Sequence, residues 1–287
     1  MADKRRGDAW KRPITIERRY RFEIDKLLDE YFRLPTAGGL GEITARLVEW
    51  SQVDRLFQAH AERAASSMVT GVAAHNAKNW RAAAQKATRG QKIFGLLNRE
   101  LAGPVGAVIR ERVRENAALI KSLPQRTARD VNAFIAKEQL AGRRSGDIAR
   151  HLRSHLPDLT RSQVLRLART ETAKAETAVT RARAEHLSLD WYEWDTSEDA
   201  RVRKSHRHMD RVLVRFSDPP APEALIGIRS SLGHYHAGEA PYCRCGAYPL
   251  VAAEEVRWPH KVYMAGRITV MTRGQFLDVA PGYRIAA

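Results

Sequence analysis

From residue 14 to residue 185 the apolar positions recur three and four apart, the spacing of helices that each bury one face. The clearest stripe runs Ile43, Leu47, Trp50, Val53, Phe57, Ala61, Ala64, Met68 and Val72, with Arg and Glu between, and it predicts one long helix. Gly103-Pro104 punctuates the pattern. Val105, Ile109, Val113 and Ile120 restart it until Pro124, which lacks an amide hydrogen and disfavours helix in the residue before it. Around Gly142 a Gly-Arg-Arg-Ser-Gly run offers a break, after which Ser145 is placed to cap a helix with the apolar face Ile148, Leu152 and Leu156, ending at Pro157. Thr160-x-x-Gln163 fits a capping box and opens a further helix carrying Val164, Leu167 and Ala168-Arg169-Thr170-Glu171. Together these two predict an αα-hairpin, a helix–turn–helix in the loose sense.

The texture changes after Leu189. Trp191-Tyr-Glu-Trp194 alternates, Val212-Leu-Val-Arg-Phe216 is β-rich, and Pro and Gly become dense in the Pro219-Pro220-Ala-Pro222 cluster and between Tyr235 and Pro241. Ala247 to Val251, Val262 to Met264 and Ile268 to Thr272 read as further short strands. The fold class expected is α+β: a mostly α-helical N-terminal region over residues 1–141, a small α+β module with short strands over 142–251, and a short strand-rich extension over 252–287.

Charge sharpens the picture. The 287 residues carry 49 Lys+Arg against 33 Asp+Glu, a formal surplus of +16. Such a surplus survives all internal pairing and attracts polyanions at long range. Residues 201–216 hold a local peak in Arg201, Arg203, Lys204, Arg207, Arg211 and Arg215, of which Arg201, Arg203, Lys204, Arg207 and Arg211 are the DNA-contact candidates. The expected contact is nonspecific, since no sequence-reading motif supports base readout. The charged start, Met1-Ala-Asp-Lys-Arg-Arg, leads into no apolar run, and no stretch approaches the 18 or so apolar residues of a membrane span. A secretory leader and a membrane are therefore not expected, and the setting is read as intracellular.

The candidate chemistry sits in the second half, where Asp199, His206, His208, Asp210, His234, His236, Cys243 and Cys245 are the ligand types present. Zinc takes thiolate and imidazole ligands, and a Cys-x-Cys loop with a His from elsewhere can supply them, so His206, Cys243 and Cys245 are the metal candidates and a structural zinc is the cofactor to test for. The competing reading is a hydrogen-bonded knot of buried thiols and imidazole. His206-x-x-x-Asp210 also invites a metal-dependent nuclease or another nucleic-acid processing enzyme as the alternative function. Against it, the chain has no His-Glu-x-x-His, no phosphate loop ending in Gly-Lys-Ser/Thr and no Gly-x-Ser-x-Gly elbow, and no catalytic residues are assigned.

Taken in order, the Arg169-Thr170-Glu171 helix, Trp194, Asp199-x-Arg201, His206 and Pro241-Tyr-Cys243-Arg244-Cys245 resemble the phage Mu F-like head morphogenesis family of minor capsid proteins. The resemblance covers about residues 142–251. Family members typically place a Gly close after the His and an Asn before the first Cys, where this chain has Arg211 and Tyr242. The resemblance implies a structural framework, not an active site, formed by Arg169, Thr170, Glu171, Trp194, Asp199, Arg201, His206, Cys243, Arg244 and Cys245. It also implies a non-enzymatic minor head component of a tailed phage or prophage. Such a protein acts in procapsid assembly in the host cytoplasm, has the portal protein and other head proteins as partners, and ends inside the virion against packaged double-stranded DNA. With a staple of its own, the module is expected to hold its fold in a fragment starting near residue 142.

Overall fold

The structure is a computed structural model that describes residues 10–52, 55–85, 95, 97 and 103–283; the charged first six residues and Val53 of the apolar stripe lie outside them. The architecture is α+β, with long helices first and a small mixed sheet after them. Helices α1 (Ile14–Tyr31), α2 (Leu40–Ser51), α3 (Arg55–Ala84), α4 (Pro104–Leu140) and α5 (Ser145–His186) precede strand β1 (Trp191–Asp195). There follow the short helix α6 (Lys204–His208), β2 (Val212–Arg215), the single turn α7 (Pro222–Leu225), β3 (Gly246–Pro249), β4 (His260–Met264), β5 (Arg267–Met271) and α8 (Arg273–Val279).

Three helix boundaries differ from those the sequence predicts. The Ile43 to Val72 stripe is divided between α2 and α3. Pro124 does not stop α4 and Pro157 does not stop α5; both lie inside their helices. The αα-hairpin expected after Gly142 is accordingly one continuous helix, and Thr160 caps nothing: its hydroxyl donates to the Leu156 carbonyl at 2.9 Å. A helical proline removes one amide donor and costs about 3 kcal/mol. Buried neighbours offset it, since Ile120, Leu123, Leu152, Leu156 and Val164 are all covered, and each fully buried side chain of that size contributes about 1.5–3 kcal/mol. The break at Gly142 does form. Gly142 has φ +75°, its N–H donates to the Gln139 carbonyl and that of Arg143 to the Glu138 carbonyl, the paired bonds of a Schellman stop.

The chain forms two compact units that are discontinuous in sequence, and their boundaries fall after the first residue of α1 and inside α3, α4 and α5. The helical unit takes Thr15–Val69 and Glu111–Ala168. Its core sets Ile43, Leu47 and Trp50 of α2 against Val131 and Ile135 of α4 and Ile148, Leu152 and Leu156 of α5. The apolar stripe is thus packed: Ile43, Leu47, Trp50, Phe57, Ala61, Ala64, Met68 and Val72 are all buried.

The sheet unit takes Met1–Ile14, Thr70–Arg110 and Arg169–Ala287. Its strand order is β3-β1-β2-β4-β5, antiparallel except for the parallel β2–β4 pair. Strand β1 is buried on both faces, which is why Trp191, Tyr192 and Trp194 follow one another with no polar gap beyond Glu193. Trp10 and Trp80 belong to the same core, the Trp10 ring stacked on Tyr248 at 5.9 Å and edge-on to Trp80 at 5.2 Å. A fragment beginning at residue 142 therefore lacks part of this core.

Candidate functional site

The site is built at the end of the sheet where β1 finishes. The register pairs Trp194 with Ala247 and Asp195 with Gly246, so Cys245 arrives beside the end of β1. From Asp195 the chain loops through Asp199 into α6, where helical spacing buries Ser205 and His206 while Lys204, Arg207 and His208 remain exposed. Two segments about forty residues apart in sequence thereby meet.

His206 Nδ1 lies 3.5 Å from Cys243 Sγ and 3.4 Å from Cys245 Sγ, and all three side chains are buried. The Cys245 backbone N–H donates to Cys243 Sγ at 3.3 Å. The other ring nitrogen, Nε2, lies 2.9 Å from the Tyr235 hydroxyl, which in turn donates to the Glu223 carboxylate at 2.8–2.9 Å. Ser205 Oγ adds a bond to Glu223 at 3.0 Å. Burial and the carboxylate together push the Tyr235 phenol far above its usual range, so it stays protonated. The Trp194 ring closes the group edge-on to His206 at 5.5 Å.

The two thiols are electrostatically unequal. A hydrogen bond from Cys245, with help from His206, pulls the Cys243 thiol well below its ordinary value although burial opposes it. The same hydrogen bond, with burial, pushes Cys245 up. The Cys245 N–H directed at Cys243 Sγ favours negative charge on that sulfur.

A second layer fixes the Cys loop. Arg244 grips Asp199 with both terminal nitrogens, one of them at 2.7 Å from Oδ1, and this bond holds the Asp199 carboxyl below its usual range. Asp199 also accepts the Arg201 backbone N–H at 2.9 Å, while the Arg203 side chain donates to the Pro241 carbonyl at 2.7 Å. Thr170 of α5 accepts the Tyr242 N–H at 3.1 Å, and Thr177, two turns on, donates to the Ala237 carbonyl at 2.7 Å. Gly238 is required for that approach: at φ +91°, a Cβ there falls 2.6 Å from Thr177 Oγ1. Glu171 is buried and pairs with Lys174 at 3.0 Å, and Arg169 is half-buried on the same helix.

The remaining ligand types do not join the cluster. His208 is exposed; Asp210 accepts the backbone N–H and hydroxyl of Thr196 at 3.0 and 2.7 Å. His234 contacts the Pro219 carbonyl and His236 the Tyr192 hydroxyl, with burial holding the His236 imidazole below its usual range. Tyr235 and Glu223 are neighbours of His206 that the sequence did not mark. Glu223 follows a proline cluster that reads as loop, and nothing in its spacing points to His206.

The two departures from the family pattern share a backbone feature. Arg211 and Tyr242 both have φ +58°, the left-handed region that Gly and Asn enter most easily. The residues expected at these places are the ones the backbone favours.

Comparison with known proteins agrees with the resemblance. Residues 130–248 match the family described as Phage Mu protein F like protein, a stretch that contains Arg169-Thr-Glu171, Asp199, His206 and the Cys-Arg-Cys loop. A Haemophilus influenzae (strain ATCC 51907 / DSM 11121 / KW20 / Rd) protein described as an uncharacterized protein is 28% identical over 140 residues, 49% of this chain. The match covers 29% of that protein, so the chain aligns with less than a third of the relative's length. No solved structure matches the chain.

Proposed function

We propose that this Phage Mu F-like chain is a head morphogenesis protein of a tailed phage or prophage, acting at the portal during procapsid assembly and touching packaged DNA without sequence preference. The observation that carries the reading is the match over residues 130–248, which spans the whole His206–Cys243–Cys245 framework and the helix that braces it. That framework is buried and cross-braced, as suits a rigid assembly module better than a site that must admit substrate.

The charge supports a polyanion partner. On α6, Lys204 and Arg207 stand one turn apart on the face opposite Ser205 and His206, and Arg201 and Arg203 are exposed in the preceding loop. Arg203 is held by the Pro241 carbonyl, and Arg211 is half-buried at the end of the turn. Arg201, Lys204 and Arg207 are therefore the exposed cations offered by the same loop and helix that the framework fixes. Among the described residues no helix is long and apolar enough to cross a membrane. The portal contact is assigned to the N-terminal helices, on surfaces other than the buried Ile43 to Val72 stripe.

Affinity for unrelated duplexes, measured across salt, tests the DNA half. Binding should fall steeply with salt and be alike for all sequences. Reversing Arg201, Lys204 and Arg207 should lower the salt slope by about one for each phosphate that is no longer neutralised. A flat salt response removes DNA as the partner, and turnover of plasmid by the full chain supports a nuclease instead. Co-purification with the portal protein of the same phage or prophage tests the assembly half.

A further inference from the structure

Three observations at the His206 cluster converge on a ligand that the side chains themselves do not include. The first is distance. His206 Nδ1 and the sulfurs of Cys243 and Cys245 all lie within 4.8 Å of one another, with the nitrogen–sulfur separations at 3.4 and 3.5 Å. Zinc bound to sulfur at about 2.3 Å and to imidazole nitrogen at about 2.0 Å on neighbouring tetrahedral vertices holds those two donors about 3.5 Å apart. The cluster has the spacing of a coordination shell.

The second is orientation. A metal-ligating histidine must present an unprotonated nitrogen, and its other N–H commonly donates to a carboxylate or a relay that ends in one. Here Nε2 faces the Tyr235 hydroxyl, and Tyr235 is bonded to both oxygens of Glu223. That chain keeps the proton on Nε2 and turns the Nδ1 lone pair toward the two sulfurs. Nothing about packing a thiol requires such a relay.

The third is charge. All three donors are buried, where an unpaired charge is expensive. A divalent cation that displaces both thiol protons leaves two thiolates, a neutral imidazole and the ion, a set with no net charge. The Cys245 N–H directed at Cys243 Sγ stabilises the anionic sulfur.

We propose that His206 Nδ1, Cys243 Sγ and Cys245 Sγ bind one zinc ion, with a solvent-derived ligand at the fourth vertex and Tyr235–Glu223 as the positioning relay. The thiol protons pass to solvent on binding. Zinc then joins the α6 turn to the Cys loop, adding a third tie to those made by Arg244–Asp199 and Arg203–Pro241. This assignment is independent of the portal and DNA roles.

The test uses the full-length chain, produced under reducing conditions without chelator. Elemental analysis should find one zinc per chain. A chelator should remove it and lower the midpoint of thermal unfolding, and zinc should restore both. Cobalt loaded in its place should show tetrahedral d–d bands with thiolate charge-transfer absorption, about halved in Cys245→Ser. Because the serine variant can fail to fold, Tyr235→Phe gives a second measure. It keeps both thiolates and the core shape, and should weaken metal affinity about 10- to 100-fold while leaving the cobalt charge-transfer intensity per bound ion unchanged. Folded wild-type chain that neither contains nor takes up stoichiometric zinc or cobalt overturns the proposal, as does Tyr235→Phe binding with unaltered affinity.

Discussion

Glu176, inside α5, makes stability depend on pH in a direction opposite to that of an ordinary carboxylate. Its Oε1 accepts a bond from Asn76 Nδ2 at 2.7 Å, while Oε2 is buried with no hydrogen-bond partner among the described residues. The neighbouring Thr180 hydroxyl and the buried Arg183 share Asn76, and Arg183 also donates to the Ala73 carbonyl at 3.1 Å. Burial outweighs the help of Asn76 and Arg183 and pushes the Glu176 carboxyl from 4.5 up to about 7. Between those two values the folded chain holds a proton that the unfolded chain has released, so stability falls as pH rises through that window. Fully developed above pH 7, the loss is about 3 kcal/mol. Glu176→Gln keeps an oxygen for Asn76 and cannot ionise. The difference in unfolding free energy between variant and parent should therefore move about 3 kcal/mol in the variant's favour from pH 4.5 to pH 8.5. Urea unfolding at half-unit pH intervals measures it, and taking the difference cancels every other titrating group. A constant difference across that range would show that Arg183 keeps Glu176 ionised and would refute the reasoning.

Three further outcomes follow from backbone and core geometry. Arg211→Gly and Tyr242→Asn, each relieving a φ of +58°, should raise stability by up to about 1 kcal/mol apiece in denaturant unfolding, and a loss at either site contradicts the strain argument. Gly238→Ala meets Thr177 Oγ1 and should destabilise by about 2–3 kcal/mol, with faster amide exchange in the loop before Cys243; a wild-type midpoint would mean the loop is not held as described. A fragment of residues 142–287 lacks Trp10, Ala77 and Trp80 from the sheet unit's core and should show no cooperative thermal transition, whereas a sharp one would place the folding boundary at residue 142 after all.

The helical N-terminal texture, the switch to strands after Leu189, the stop at Gly142 and the surplus of positive charge are all legible along the chain. Each is local: a period of 3.6 or 2, a glycine free to take positive φ, a sum of charges. The sequence also marked His206, Cys243 and Cys245, through the chemistry of their side chains and the order in which they occur. That α4 and α5 run through Pro124 and Pro157 depends on packing, because the burial that offsets a missing amide comes from other segments of the chain. The same holds for Tyr235 and Glu223, whose approach to His206 depends on where a proline-rich loop docks, and for Trp10 and Trp80, which complete the core of a sheet that begins more than a hundred residues later. Local propensity can place a residue on a strand or a helix; which distant residue meets it is set by sheet register and core packing.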